Sequence, residues 1–491
     1  MHKILYTYKE KLGEGTMLEI ELVQLVEKIT SEKCEKQYIE LKKAGGGTPS
    51  KLYGTLSSFS NQHNGGIIIF GIDEEADYKV SGVYNAQDLQ KKVMEQSLQM
   101  EPVVRPLFTV VRIKESLVVS AEISECDMYV KPCFYKGAGR LRGSYIRIGD
   151  SDQPMTEYEI YSYEAFKRRI HDELRTIDRA KRENLSVDNV TEYVIQLHRQ
   201  KQNLVNLIND RILETQGIYQ NSAPTLAGLL LLSDYPQEFF PQLGVTAMVV
   251  HGKEFGGLGN DGERFIDNKR IEGSIPQMIE GTLSFVRRNM RVKTIVTEEG
   301  KRADKPEYPI KAVREIILNA LIHRDYSIHT ENSPVRLVMY EDRIELENPG
   351  GLYGRITVDD LGKVSADTRN PYIAGALEIM INTENRYSGI PTIRAELKKA
   401  GMPAPVFIDR RGVFKVIFYT KAADRNKDVD REQEIIQFCT TPRTREELAG
   451  KFGFSAPTYF LRKYIDPLLA DGKIKVTIPD KLKSKFQKYY S

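Results

Sequence analysis

The 491-residue chain has only four cysteines, Cys34, Cys126, Cys133 and Cys439, and no two of them form a CxxC pair. That pattern excludes a zinc ribbon and a disulfide framework. Its seven histidines are scattered and form no HExxH motif. Long apolar runs are also lacking: residues 66–72 and 226–232 fall far short of the ~18 that a bilayer span requires. A charge imbalance is absent too. The net charge is +3, from 71 basic and 68 acidic residues, so any nucleic-acid footprint must be local rather than carried by bulk charge. With 41% apolar and 28% charged residues, the composition is that of a globular protein and excludes a disordered or collagenous chain. What the chain has is length, enough for about three domains at ~100–200 residues each. The opening MHKILYTYKEKLGEG has no sustained apolar core and no small-residue cleavage site, which predicts no signal peptide and a soluble, cytoplasmic protein with no membrane contact.

Periodicity sketches the elements. Residues 17–31 place Leu18, Leu22, Leu25 and Ile29 on one helical face. Residues 38–42 read as a short strand. Thr48-Pro49 reads as a cap and first-turn proline opening a helix to about Asn61, and 67–72 as a buried strand after the turn Asn64-Gly65-Gly66. Strands follow near 118–124 and 144–148. Residues 253–272, rich in glycine and charge, read as a loop. Residues 311–322 form a clear helix with Ala312, Val313, Ile316, Ile317, Ala320 and Leu321 as its apolar face. Residues 335–340 and 343–347 read as a hairpin, 414–419 as a strand, and 421–432 as a charged linker. The fold expected is α+β and multidomain, with boundaries at 1–30, 31–160, 161–305, 306–420 and 433–491.

The last segment is the most legible. Helix, helix, tight turn at Gly453-Phe454-Ser455, third helix at 456–464 and a strand at 473–477 is the order of a winged helix. Its second helix opens with a capping box, Thr444 with Glu447 three residues on. The third helix would enter a DNA major groove with Thr458, Tyr459, Arg462 and Lys463 outward. The tail 473–491 carries six lysines against one aspartate, suited to phosphate contact.

In the 308–420 segment, a spacing of four puts Glu315, Asn319 and His323 on one helical face. An asparagine four residues after a glutamate can hold Mg²⁺ while the glutamate orients water. The segment resembles the ATP-binding GHKL fold, more closely its divergent form in bacterial regulators carrying HRDY and NPG motifs, here His323–Tyr326 and Asn348-Pro349-Gly350. The resemblance implies an α/β sandwich in which Glu315 is the base, Asn319 ligates magnesium, and Glu347, Gly350, Gly351 and Gly389 line a nucleotide. Two departures weigh against ATP. The aspartate of the family's Asp-x-Gly-x-Gly stretch corresponds to Glu347 and its first glycine to Pro349, which offers no N–H. The phosphate loop is reduced to Tyr387-Ser388-Gly389-Ile390, leaving few backbone donors.

Near the N-terminus, residues 131–147 hold Lys131, Lys136, Arg140, Arg142 and Arg147 and no acid, with Tyr135 and Tyr145 interleaved. That is a local footprint for a phosphate backbone with stacking. The ordered set Tyr38–Lys42, Phe59–Gly66, Ile69–Asp73, Lys131-Pro132, Tyr135-Lys136-Gly137 and Tyr145–Gly149 resembles the Schlafen-type AlbA-like domain. In the Schlafen ribonucleases one glutamate lies five residues before that of the Glu-x-Lys strand, and a third acid follows the Gly-Gly strand. The resemblance therefore implies that Glu35, Glu40 and Asp73 gather a Mg²⁺ or Mn²⁺ ion, with Lys42 offsetting phosphate charge.

Taken in order, these units resemble the bacterial AlbA-domain transcriptional regulators. The expected function is a nucleic-acid-binding, probable partner DNA or RNA, regulatory protein with a ligand- or nucleotide-sensing GHKL-like domain, acting as a homo-oligomer because a winged helix reading a palindrome needs a dimer. The alternative is a metal-dependent nuclease of antiviral defence.

Overall fold

The structure, a computed structural model, describes residues 17–259, 261–296, 302–364, 367–381, 389–410, 412–420, 434–452, 460–470, 473–477 and 487–491. The chain divides into two compact units, Met1–Tyr163 with Asn426–Ser491, and Glu164–Arg425.

The first unit begins with helix α1 (Glu19–Glu32), strand β1 (Ile39–Lys42), helix α2 (Tyr53–Asn61), strand β2 (Gly66–Phe70), the two-residue strand β3 (Ile72–Asp73) and helix α3 (Ala86–Ser97). Strands β4 (Leu107–Ile113) and β5 (Ser116–Ile123) complete a four-stranded sheet of order β1-β2-β5-β4, in which β1 runs parallel to β2. The hairpin β6 (Tyr145–Ile148) and β7 (Ser151–Pro154) follows. Strand β2 is apolar throughout, because its alternating residues fill two cores. Ile68 and Phe70 pack with Leu52, Leu56 and Phe59 of the α2 segment and Leu89 and Val93 of α3. Ile67 and Ile69 pack with Leu22, Leu25, Val26 and Ile29 of α1. Gly65 must be glycine: its φ is +69° and a Cβ there would stand 2.0 Å from the Ile123 carbonyl oxygen. Helix α2 starts at Tyr53 rather than at Thr48-Pro49. The side chain of Gln96 in α3 donates to the Pro49 carbonyl and accepts the Leu52 N–H, holding the preceding residues non-helical.

The second unit is built on a six-stranded sheet. Helices α4 (Val187–Gln200) and α5 (Leu226–Leu232) precede strands β8 (Val245–Val250) and β9 (Phe265–Ile271), helix α6 (Ile275–Asn289) and helix α7 (Ile310–His323). Then come strands β10 (Val335–Met339) and β11 (Arg343–Pro349), helices α8 (Pro371–Met380) and α9 (Gly389–Lys399), and strands β12 (Val406–Arg410) and β13 (Val413–Tyr419). The sheet order is β9-β8-β10-β11-β13-β12, with β8 parallel to β10 and the other pairs antiparallel. Two of its strands come from the stretch 161–305. Residues 253–272 are not all loop, since their end is the edge strand β9. Helix α7 buries the apolar face expected of it against Leu337, Ile344, Leu346, Val416 and Phe418.

The C-terminal segment has a helix at 434–438, a short strand Arg443–Thr444, helix α10 (Arg445–Lys451), a helical turn Leu461–Ile465 running into α11 (Asp466–Ala470), and strands Lys475–Val476 and Lys488–Tyr490. The last strand is central to a three-stranded sheet. The capping box forms as expected: the Glu447 N–H donates to Thr444 Oγ1 at 3.2 Å and the Thr444 N–H to Glu447 Oε2 at 2.9 Å. Thr458 and Tyr459, and the side chains of Arg462 and Lys463, lie outside the described residues. Among the described residues no helix is long and apolar enough to cross a membrane.

Candidate functional site

The second unit encloses a cavity of about 410 Å³. Helix α7 supplies one wall: Glu315, Asn319 and His323, one turn apart, all line it. Strand β11 supplies another. Ile344 and Leu346 face the helices, so period 2 places Asn348 on the same side, and Leu346 and Asn348 line the cavity. Glu347 therefore points to the opposite face, which corrects its expected place beside a ligand. It pairs there with Arg336 at 3.1 Å and Lys415 at 2.7 Å. Beyond β11, Gly350 and Gly351 line the cavity. Gly350 adopts φ +100°, and a Cβ on it would lie 2.6 Å from Arg369 Nη1 and from Asp325 Cβ. Arg369 and Asp325 are themselves an ion pair at 2.7 Å, and the Asp325 N–H donates to the Pro349 carbonyl at 3.0 Å. The HRDY and NPG segments are thus locked to each other. Gly389, the first residue of α9, sits against both α7 carboxylate and amide: its Cβ would be 3.1 Å from Glu315 Oε2 and from Asn319 Nδ2.

The remaining walls are apolar, including Ile316, Ile390, Ile393, Phe407, Phe414 and Val416. Among the described residues, Asn319 Nδ2 and Asn348 Oδ1 are buried atoms with no hydrogen-bond partner. Leaving such groups unmade costs about 1–3 kcal/mol each, so the cavity carries a donor and an acceptor that a ligand can satisfy. Burial raises the Glu315 carboxyl above its ordinary range. His323 opens onto the cavity while protein surrounds it. Burial, with the Arg369 guanidinium nearby, pushes its imidazole down to about 4, so it is neutral at pH 7. Sequence reasoning placed His323 on the correct face without counting it as a site residue, and it missed Asn348, which the alternation of β11 could have shown. Tyr387 and Ser388 lie outside the described residues.

In the first unit the expected residues assemble differently. Arg147, expected on a phosphate-binding surface, is 3% exposed. Its guanidinium stands 2.6 Å from Glu40 Oε2, 3.7 Å from Glu35 Oε2 and 3.1 Å from Asp152 Oδ1, and donates to the Ile39 carbonyl. Asp152 also accepts from the Thr55 and Ser58 hydroxyls. Lys42 pairs with Glu40. Burial, then the neighbouring Glu40, push the Glu35 carboxyl up to about 8, against the Leu41 N–H that donates to it. Asp73 is not part of this group. Gly71, at φ +101°, interrupts the strand between Phe70 and Ile72, and Asp73 pairs with Lys43 at 2.6 Å, which holds its carboxyl below the usual range. Among the described residues no group of three or more His, Cys, Asp or Glu could hold a metal ion. The Glu35–Glu40–Asp73 site is corrected accordingly: two of these acids close on an internal guanidinium, and a divalent ion does not fit the donor set.

The basic footprint divides as well. Lys131 is 5% exposed and pairs with Glu125 at 2.6 Å. Lys136 and Arg142 are exposed and Arg140 is half-buried. Beside them Tyr135 stacks on Tyr53, with centroids 3.8 Å apart at 14°.

Residues 35–156 match the family model described as Schlafen, AlbA_2. Residues 332–418 match that of the C-terminal region of putative ATP-dependent DNA helicase RecG, of the HATPase type. Residues 432–490 match the C-terminal domain of the Fic-like protein of filamentation induced by cAMP. No curated protein matches the chain. Among solved structures, the DIP2311 protein of Corynebacterium diphtheriae is 16% identical, with 91% of this chain and 92% of that one covered and a TM-score of 0.40. The N-terminal domain of a putative ATP-dependent DNA helicase RecG-related protein from Nitrosomonas europaea is 24% identical over 27% of this chain and 92% of its own, with a TM-score of 0.22. The domains matched are of nucleic-acid-related kinds, and the chain is an AlbA-like protein with a divergent ATPase-like domain.

Proposed function

We propose that this protein is a nucleic-acid-binding regulator whose HATPase-type domain holds a nucleotide as its signal. The observation that carries the nucleotide half is the meeting of Glu315, Asn319, Gly350, Gly351 and Gly389 at one cavity that also presents unpartnered amide atoms. A magnesium ion bound with the nucleotide would neutralise phosphate charge, and Asn319 is the residue placed to hold it. Glu315 is placed to orient a water, since its carboxyl lies beside Asn319 at Gly389. Isothermal titration of the full chain with ATP and Mg²⁺ tests this half. Saturable binding is expected. Asn319→Ala should weaken it and remove its metal dependence, whereas Glu315→Ala should spare binding and abolish any hydrolysis, because a residue that orients water acts on turnover. Wild-type behaviour in both variants makes the helix structural only.

The nucleic-acid half rests on the matched domain kinds and on Lys136, Arg140 and Arg142 flanking the Tyr53–Tyr135 stack. We place the winged-helix segment beside it as a second contact, through Arg462 and Lys463, with a homodimer as the binding form. Replacing Lys136 and Arg142 by alanine should weaken binding of DNA or RNA across sequences and lower the salt dependence by about two units of slope in an electrophoretic shift assay. An unchanged slope would remove this surface from the interface. The metal-dependent nuclease draws no support from carboxylates that close on Arg147. Incubation with labelled RNA and DNA plus Mg²⁺ or Mn²⁺ should give retention without cleavage, and cleavage lost in Glu40→Ala would reinstate it.

A further inference from the structure

Glu315, Asn319 and His323 divide the α7 wall of the cavity into two ends. Glu315 and Asn319 meet at Gly389, whereas His323 lies one further turn along, roughly 6 Å from Asn319 and 12 Å from Glu315 at 1.5 Å per residue. If a metal-bound polyphosphate occupies the Asn319 end, the uncharged half of the nucleotide extends toward His323. Three observations suit that end to an uncharged, flat group. The Arg369 guanidinium near it is already paired with the buried Asp325. Asn348, on the facing strand, offers a buried acceptor. The imidazole is neutral at pH 7 because burial and Arg369 oppose its protonation, and a neutral imidazole has one donor and one acceptor for the edge of a base and no charge for a phosphate.

We propose that His323 is a specificity-determining residue that contacts the base of the bound nucleotide, so that this end of the cavity selects among nucleobases while the Asn319 end serves the phosphates. The assignment rests on the nucleotide reading of the cavity.

The test is a competition titration of the full chain with ATP, GTP, CTP and UTP, with and without Mg²⁺, for wild type, His323→Ala and His323→Gln. His323→Ala should change the ratio of affinities for the preferred and the next-best nucleotide by about 3–10-fold, the loss of one good hydrogen bond. The enhancement by Mg²⁺ should stay as in wild type, which also reports that the cavity is intact. His323→Gln, which keeps a donor and an acceptor, should recover part of the ratio. Wild-type ratios in both variants would overturn the assignment while leaving the nucleotide reading in place. A wild type that binds none of the four would overturn both.

Discussion

Arg147→Ala is expected to destabilise the N-terminal domain by about 3–5 kcal/mol, the cost of removing one partner from a buried ion group. The guanidinium is almost fully enclosed, with 1% of its side chain exposed, and faces Glu35, Glu40 and Asp152, with 8%, 9% and 18% exposed. It also lies over the Phe59 ring, 5.3 Å from its centroid. Without it Lys42 still balances Glu40, and Thr55 and Ser58 still serve Asp152, but Glu35 has no compensating cation at hand and the hairpin β6–β7 loses its tie to Ile39. Calorimetric unfolding of the full chain should show the transition of this domain lowered, with Arg147→Lys recovering part, since one ammonium cannot serve three acids and a carbonyl. An unshifted transition in Arg147→Ala would mean that the carboxylates do not depend on this cation. Restoration of the variant by Mn²⁺ would mean that they make a metal site after all.

Glu173→Ala should cost on the order of 3 kcal/mol in the second unit, from two buried donors left unmade. Glu173 is fully buried in the turn Asp172–Leu174. Its carboxylate accepts the N–H of Tyr372 at 3.0 Å and of Ile373 at 2.8 Å. These N–H groups belong to the first turn of α8, whose Pro371, Ala374, Gly375 and Glu378 line the cavity. The residue therefore fixes a cavity wall from outside it, and nucleotide affinity should fall with stability. Burial outweighs the two donors and pushes the carboxyl up to about 7 from an ordinary 4.5. The unfolded chain then gives up this proton first as pH rises, so Glu173 makes stability fall between about pH 4.5 and 7 and adds no further slope above that window. Urea unfolding followed over this range should show a shallower decline in Glu173→Gln than in wild type. Equal slopes would place the titrating group elsewhere.

The elements that sequence alone predicted are those whose causes are local. The apolar spacing of α7, the Thr225 cap of α5 and the capping box of α10 each need only a few neighbouring residues, and each is present. What sequence missed is set by partners far along the chain. Thr48-Pro49 has the chemistry of a helix start, yet Gln96 captures the backbone around it. Strand β9 alternates charged and apolar residues at an edge where only β8 pairs with it, so little apolar content marked it. Arg147 sits in a stretch free of acids, and its acids come from residues more than a hundred positions earlier, apart from Asp152 in the neighbouring strand. Glu347 and Asn348 show the opposite case. The alternation through Ile344 and Leu346 was sufficient to place Asn348 toward the cavity, and the family motif drew the assignment one residue too early.

The most direct measurement is fluorescence anisotropy of labelled DNA and RNA titrated with the full chain, with and without Mg²⁺ and ATP. Coupling between two sites is reciprocal, so a nucleotide that acts as the signal must change nucleic-acid affinity, and the change must vanish in Asn319→Ala. Saturable binding at low salt that shifts with nucleotide in wild type alone is the predicted result; no binding to either nucleic acid, or an affinity indifferent to the nucleotide, would contradict the account.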